Sequence, residues 1–185
     1  MHDTSDSMSR EERSSNNEPI GELFAFAETS DKSLVDTPPS PSHIEDDPSF
    51  AQRRPLSILV VDDNDINRKV VGAILEKMGY QYLEAPSAHV ALETVENAPI
   101  DYIFMDLDMP QMSGIEATSV IRERESTQTD RRPIEIIAVT ANISPDTRLQ
   151  CRRAGMNGFL EKPITSQMIK DQLLRSWSRI RPKST

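Results

Sequence analysis

The stretch YIFMDLDMPQMSG, residues 102–114, sets Ile103, Phe104 and Met105 in a continuous apolar run, follows them with Asp106, and places a second acid, Asp108, two positions before a proline. A short apolar run bounded by polar residues reads as a strand buried on both faces. Asp106 then sits where the strand leaves the core, and a carboxylate there is costly unless something uses it. A strand buried on both faces also needs strand neighbours and helical cover, which the rest of the chain must supply.

It does so by alternation. LSILVV (56–61) reads as another strand, and DINRKVVGAILEKM (65–78) carries Ile66, Val70, Ile74 and Met78 at helical spacing before Gly79 stops it. The theme repeats as a strand at 80–85, a helix at 87–97, the strand at 100–105, a helix at 115–125 and a strand at 134–139. A helix opened by Ser144 as N-cap with Pro145 in its first turn, a short strand GFL and a last helix through Trp177 complete the series. Five strands alternating with five helices predict an α/β fold, a doubly wound five-stranded parallel sheet of flavodoxin-like type covered on both faces.

Charge and composition divide the 185-residue chain unevenly. Residues 1–54 hold 12 acids against 5 bases, five prolines and ten serines, while the remainder is nearly balanced at 18 against 16. So few large apolar side chains cannot offset chain entropy, which predicts a disordered acidic tail over residues 1–54, one folded domain over 55–181 and a short end segment at 182–185. Roughly 125 residues suffice for one good core and not two.

The same features exclude several classes. The apolar runs fall far short of the ~20 residues of a spanning helix, and the N-terminus has no apolar signal region, so no membrane insertion is expected. The lone Cys151 fits a reducing compartment, with the cytoplasm expected and the nucleus added if the cell is eukaryotic. Nucleic acid is an unexpected partner, because Arg131-Arg132 and Arg152-Arg153 are short pairs and not a clustered basic surface.

In open doubly wound sheets, ligands bind outside the carboxyl ends of the strands. The first strand is followed there by Asp62-Asp63, the third by Asp106, the fourth by Thr140 and the fifth by Lys162-Pro163. Taken singly each is ordinary: an acid pair after a strand favours a helix N-terminus, and Lys162 alone is a surface lysine. Together they bring three carboxylates, a hydroxyl and an ammonium to one edge. Crowded carboxylates repel unless a hard divalent cation sits among them, and oxygen ligands suit Mg²⁺. A carboxylate can also attack phosphorus, giving an aspartyl phosphate whose oxygens then need cations and donors.

With these residues in view, ILVVDDNDINRKV, YIFMDLDMPQMSGIEA, IIAVTAN and CRRAGMNGFLEKPI resemble the receiver domain of two-component response regulators, especially the type fused to hybrid histidine kinases in phosphorelays. The resemblance covers about residues 56–180. It implies that Asp106 is the phosphoacceptor, that Asp63 binds Mg²⁺ directly and Asp62 mainly through water, and that the backbone carbonyl of Asp108 completes the metal site. It further implies that Thr140 and Lys162 contact the phosphoryl group, that Phe159 is the aromatic switch, and that the partner is a histidine phosphotransfer protein or histidine kinase. Two departures stand out: the acid at Asp108, beside the phosphoryl position, and a slightly long loop at 124–133.

A haloacid dehalogenase-type phosphatase is the alternative for the Asp-x-Asp of FMDLDMP, though Met109 and Pro110 fit that motif poorly. A receiver-like scaffold that is never phosphorylated is the third, and no acceptor group is missing to favour it. No kinase motif precedes residue 55 and no output domain follows Trp177, so the chain is expected to be a stand-alone receiver or the end piece of a hybrid kinase. Two further tail features are Thr37-Pro38 and Ser40-Pro41, which fit proline-directed kinases, and IGELFAFA (20–27), a candidate partner-binding segment.

The helix at 65–78 supplies its own clue about docking. At 100° per residue, Ile66, Val70, Ile74, Met78, Val71 and Leu75 span an apolar arc of roughly 180°, wider than the ~100° a core-facing helix needs. One edge should stay exposed, and Ile66, Asn67 and Val70, with Pro163 and Ile164, form the expected partner-docking patch beside Asp106.

Overall fold

In the computed structural model, the described residues are 47–127 and 131–180. The order of elements is α1 (Ser49–Arg53), β1 (Ile58–Val61), α2 (Asp65–Lys77), β2 (Tyr82–Ala85), α3 (Ala88–Asn97), β3 (Tyr102–Asp106), α4 (Gly114–Ser126), β4 (Glu135–Thr140), α5 (Pro145–Ala154), β5 (Gly158–Glu161) and α6 (Ser166–Ile180). The strands form one all-parallel sheet in the order β2-β1-β3-β4-β5.

Apolar residues on both faces of β1, β3 and β4 give the sheet two cores. Leu59, Val61, Ile103, Met105, Ile136 and Ala138 pack with α3, α4 and α5. Ile58, Val60, Tyr102, Phe104, Ile137 and Val139 pack with α1, α2 and α6. The local stops and starts follow their residue types. Asn64, Ser87, Ser113 and Ser144 cap α2 to α5 through their side chains, Ser113 in a reciprocal capping box with Glu116. At the C-terminal end of α2, Gly79 takes φ 85°, the left-handed conformation that ends the helix.

Two expectations need correction. Disorder was expected through residue 54, yet Ser49–Arg53 forms α1, with Phe50 only 2% exposed, so the described helices number six and not five. Phe50 meets Tyr80 edge-on at 6.2 Å, Arg54 lies 4.8 Å from its ring centre, and the Ala51 N–H donates to the Met78 carbonyl at 3.0 Å. One aromatic side chain in a Ser- and Pro-rich stretch thus finds enough apolar and cationic surface to order its neighbours. Residues 1–46, including IGELFAFA and the Thr-Pro and Ser-Pro sites, and residues 182–185 lie outside the described residues. The second strand also begins later than expected, at Tyr82. Tyr80 is instead buried as a core residue whose hydroxyl donates to the Arg54 carbonyl at 2.7 Å.

Candidate phosphoacceptor and metal site

The strand order reverses between β1 and β3, which is where such sheets form their binding crevice. The register pairs Val61 with Met105, so Asp62 and Asp106, each one residue further on, leave adjacent strands side by side. Asp106 pairs with Val139 and Thr140 with Glu161, so Thr140 and Lys162 follow in step along the same edge. Parallel strands alone therefore bring together four residues that are up to 100 positions apart.

Asp62 and Asp106 are both 4% exposed, and Asp63 is exposed. Lys162 Nζ donates to Asp62 Oδ2 at 2.8 Å and to Asp106 Oδ1 at 2.9 Å, bridging the two buried carboxylates. Burial pushes the Asp106 carboxyl up from its ordinary value, Lys162 pulls it back, and the charges of Asp62 and Asp108 raise it again. Burial opposes the charge on Lys162, but its bonds to Asp62 and Asp106 prevail and leave its pKa raised. One ammonium thus faces an excess of negative charge.

That imbalance bears on a divalent cation. Asp62, Asp63 and Asp106 each offer a carboxylate oxygen, and the three atoms lie within 4.8 Å of one another. Hard oxygen donors so closely grouped, with more negative charge than Lys162 offsets, fit Mg²⁺. Asp108 is exposed in the loop after β3.

Gly114 shapes this loop. A Cβ there would lie 2.0 Å from the Asp106 carbonyl oxygen, so only glycine lets α4 start this close to the acceptor strand. Its N–H donates to the Leu107 carbonyl at 3.1 Å, and Met109 is buried in the core, which together pull the loop back over the sheet.

Thr140 is buried, and its hydroxyl is engaged with the turn after β4: it accepts from the Asn142 N–H at 3.2 Å and donates to the Asn142 carbonyl at 3.3 Å. Phe159 is 36% exposed and carries the Arg148 guanidinium 4.1 Å from its ring centre. Ile66 and Val70 are 69% and 45% exposed, and Asn67 is half-buried. Val70, Asn67, Pro163 and Ile164 line an open pocket of about 400 Å³ that also contains Asp62 and Lys162.

Several contributors were not singled out from the sequence. Arg68 clasps the Asp62 carbonyl at 2.7 Å and Glu84 at 3.0 Å, fixing the start of α2 against β1 and β2. Arg148, four residues after the Ser144 cap, faces Phe159 across α5 and β5. A basic residue near the start of a helix gives no signal of which group on another element it will contact.

This geometry has counterparts. Residues 58–174 match the family model of the response regulator receiver domain. Hybrid signal transduction histidine kinase C of Dictyostelium discoideum is 36% identical over 133 residues, covering 70% of this chain and 11% of that protein. The chain thus spans about a tenth of that relative's length.

Among solved structures, the receiver domain of Ssk1, co-crystallised with the Saccharomyces cerevisiae phosphotransfer protein Ypd1, is similar at TM-score 0.61 and 30% identity, covering 68% of this chain and 90% of that one. The receiver domain of sensor histidine kinase PA1611 from Pseudomonas aeruginosa, with magnesium in its active-site cleft, is similar at TM-score 0.58 and 35% identity, covering 66% and 96%. The chain belongs to the response regulator receiver domain family. The phosphatase alternative draws no support from these relatives. Among the described residues no helix is long and apolar enough to cross a membrane.

Proposed function

We propose that the chain accepts a phosphoryl group on Asp106 from a phosphohistidine, on a phosphotransfer protein or histidine kinase, and passes it on or ends the signal by hydrolysis. The observation that carries this reading is the buried Asp106 carboxylate at the end of a central strand, held by Lys162, with Asp62 and Asp63 beside it.

An Asp106 carboxylate oxygen forms the bond to phosphorus as the phosphorus–nitrogen bond of the donor breaks. The electron pair of that bond returns to the imidazole nitrogen, and the product is an acyl phosphate. Lys162, already 2.9 Å from Asp106, donates to the phosphoryl oxygens, and Thr140 gives up its turn contacts to do the same. Asp63, Asp106 and the Asp108 carbonyl would hold Mg²⁺, with Asp62 acting through water, and the ion would supply charge neutralisation for the phosphoryl oxygens. Chemistry of this kind is self-catalysed transfer by an acceptor protein.

As Lys162 and Thr140 shift, Phe159 leaves Arg148 and turns inward, so the face of α5, β5 and α6 carries the output. The donor helix docks on Ile66, Asn67, Val70, Pro163 and Ile164: Ile66 and Val70 are exposed, and Asn67, Val70, Pro163 and Ile164 line the pocket that contains Asp62 and Lys162. The test of the central step is transfer from a phosphorylated phosphotransfer protein with Mg²⁺ present: Asp106→Asn is expected to abolish labelling, and undiminished label would overturn the assignment.

A further inference from the structure

Asn67 stands in the docking patch, yet its side chain is turned toward the acids. Asp62 Oδ2 accepts from Lys162, while Oδ1 accepts from the Asn64 N–H at 2.9 Å and from Asn67 Nδ2 at 3.1 Å. The orientation of the amide follows from its partner, because an ionised carboxylate only accepts and the nitrogen must face it. Without Asn67, Oδ1 keeps a single backbone donor and the carboxyl group is free to turn about its last bond. Any such turn moves Oδ2 away from Lys162, whose ammonium is shared with Asp106.

Helix stability gives no reason for asparagine here. Asn is a poorer helix former than Ala, and α2 already has its cap in Asn64. We propose that Asn67 is a positioning residue, which locks the Asp62 carboxylate so that its second oxygen holds Lys162 between Asp62 and Asp106. On the receiver reading, on which this inference rests, that lock sets the geometry in which the acid cluster takes a divalent cation and Asp106 takes the phosphoryl group.

The test uses acetyl phosphate, a small donor that needs no docking face, together with Mg²⁺ titration followed by backbone amide NMR. Asn67→Ala, and Asn67→Leu as the variant with the same branching but no donor, are expected to weaken Mg²⁺ binding and slow acetyl phosphate labelling about tenfold each. Their folds should be intact, because Ala and Leu are better helix formers than Asn and α2 keeps its Asn64 cap, whereas a merely structural role for Asn67 would appear as lost stability. Asn67→Gln, which keeps an amide donor, should recover part of both losses. Mg²⁺ affinity and labelling within about twofold of the parent chain in both Ala and Leu variants would overturn the inference. So would a loss seen only with a phosphotransfer protein as donor, which would make Asn67 a docking residue alone. Failure of the parent chain to label at Asp106 at all would instead remove the receiver reading and this inference with it.

Discussion

Lys162 is the residue on which the acid site balances. Its ammonium is the group that joins the two buried carboxylates, and removing one partner of a buried ion cluster leaves the others uncompensated. Lys162→Ala is expected to cost on the order of 3 kcal/mol of stability, measured by denaturant unfolding without Mg²⁺. The same variant should uncouple phosphorylation from shape change. NMR shifts across residues 148–177 on adding a phosphoryl mimic should be lost, and an undiminished response would contradict the role given to Lys162. Removing the ammonium also removes what pulls the Asp106 pKa down, so the deficit should shrink as pH falls and Asp106 takes up its proton.

At the scale of elements, α2 has a buried face and an exposed apolar edge. Val71, Ile74 and Leu75 are buried against the sheet, while Ile66 and Val70 are exposed, Val70 lining the pocket that reaches Asp62 and Lys162. Ile66→Asp places a charge in the proposed docking patch without touching the core. It should slow transfer from a phosphotransfer protein at least tenfold and leave labelling by acetyl phosphate intact; equal loss of both would count against docking on this face.

The five-residue α1 is held by tertiary contacts alone, since a helix this short has no stability of its own. Phe50 is buried against Tyr80 with Arg54 over its ring. Phe50→Ala is expected to cost about 3–5 kcal/mol in chemical unfolding. A cost below 1 kcal/mol would mean that α1 is not part of the folded unit.

Over the whole domain, buried phenols link stability to alkaline pH. Burial raises the Tyr80 pKa to about 12 and pushes Tyr102 higher still. Unfolding returns both to about 10. The folded state therefore holds protons that the unfolded state has released, so stability is complete below about pH 10 and is lost as pH rises toward 12. Tyr80→Phe should flatten that decline, at the cost of the hydrogen bond to the Arg54 carbonyl. Unfolding curves recorded from pH 8 to pH 12 would show it, and an identical alkaline decline in the variant would exclude Tyr80 as a cause.

What was readable before folding was whatever depends on local pattern. The apolar runs of β1, β3 and β4, the cap at Ser144 and the stop at Gly79 each act within a few residues, so periodicity and residue type suffice to find them. The parallel sheet follows from strand–helix alternation, and with it the convergence of Asp62, Asp106, Thr140 and Lys162 on one edge. Tertiary structure alone decided the rest. Phe50 has no periodic company in its segment and becomes core only because Tyr80 and Arg54 lie beside it. Asn67 faces Asp62 through a 3.1 Å contact across the turn between β1 and α2, and Arg148 reaches Phe159 on another element. Direction of a polar side chain is set by the partners that surround it in space, and those partners are far away, or on the other side of a turn, in the chain.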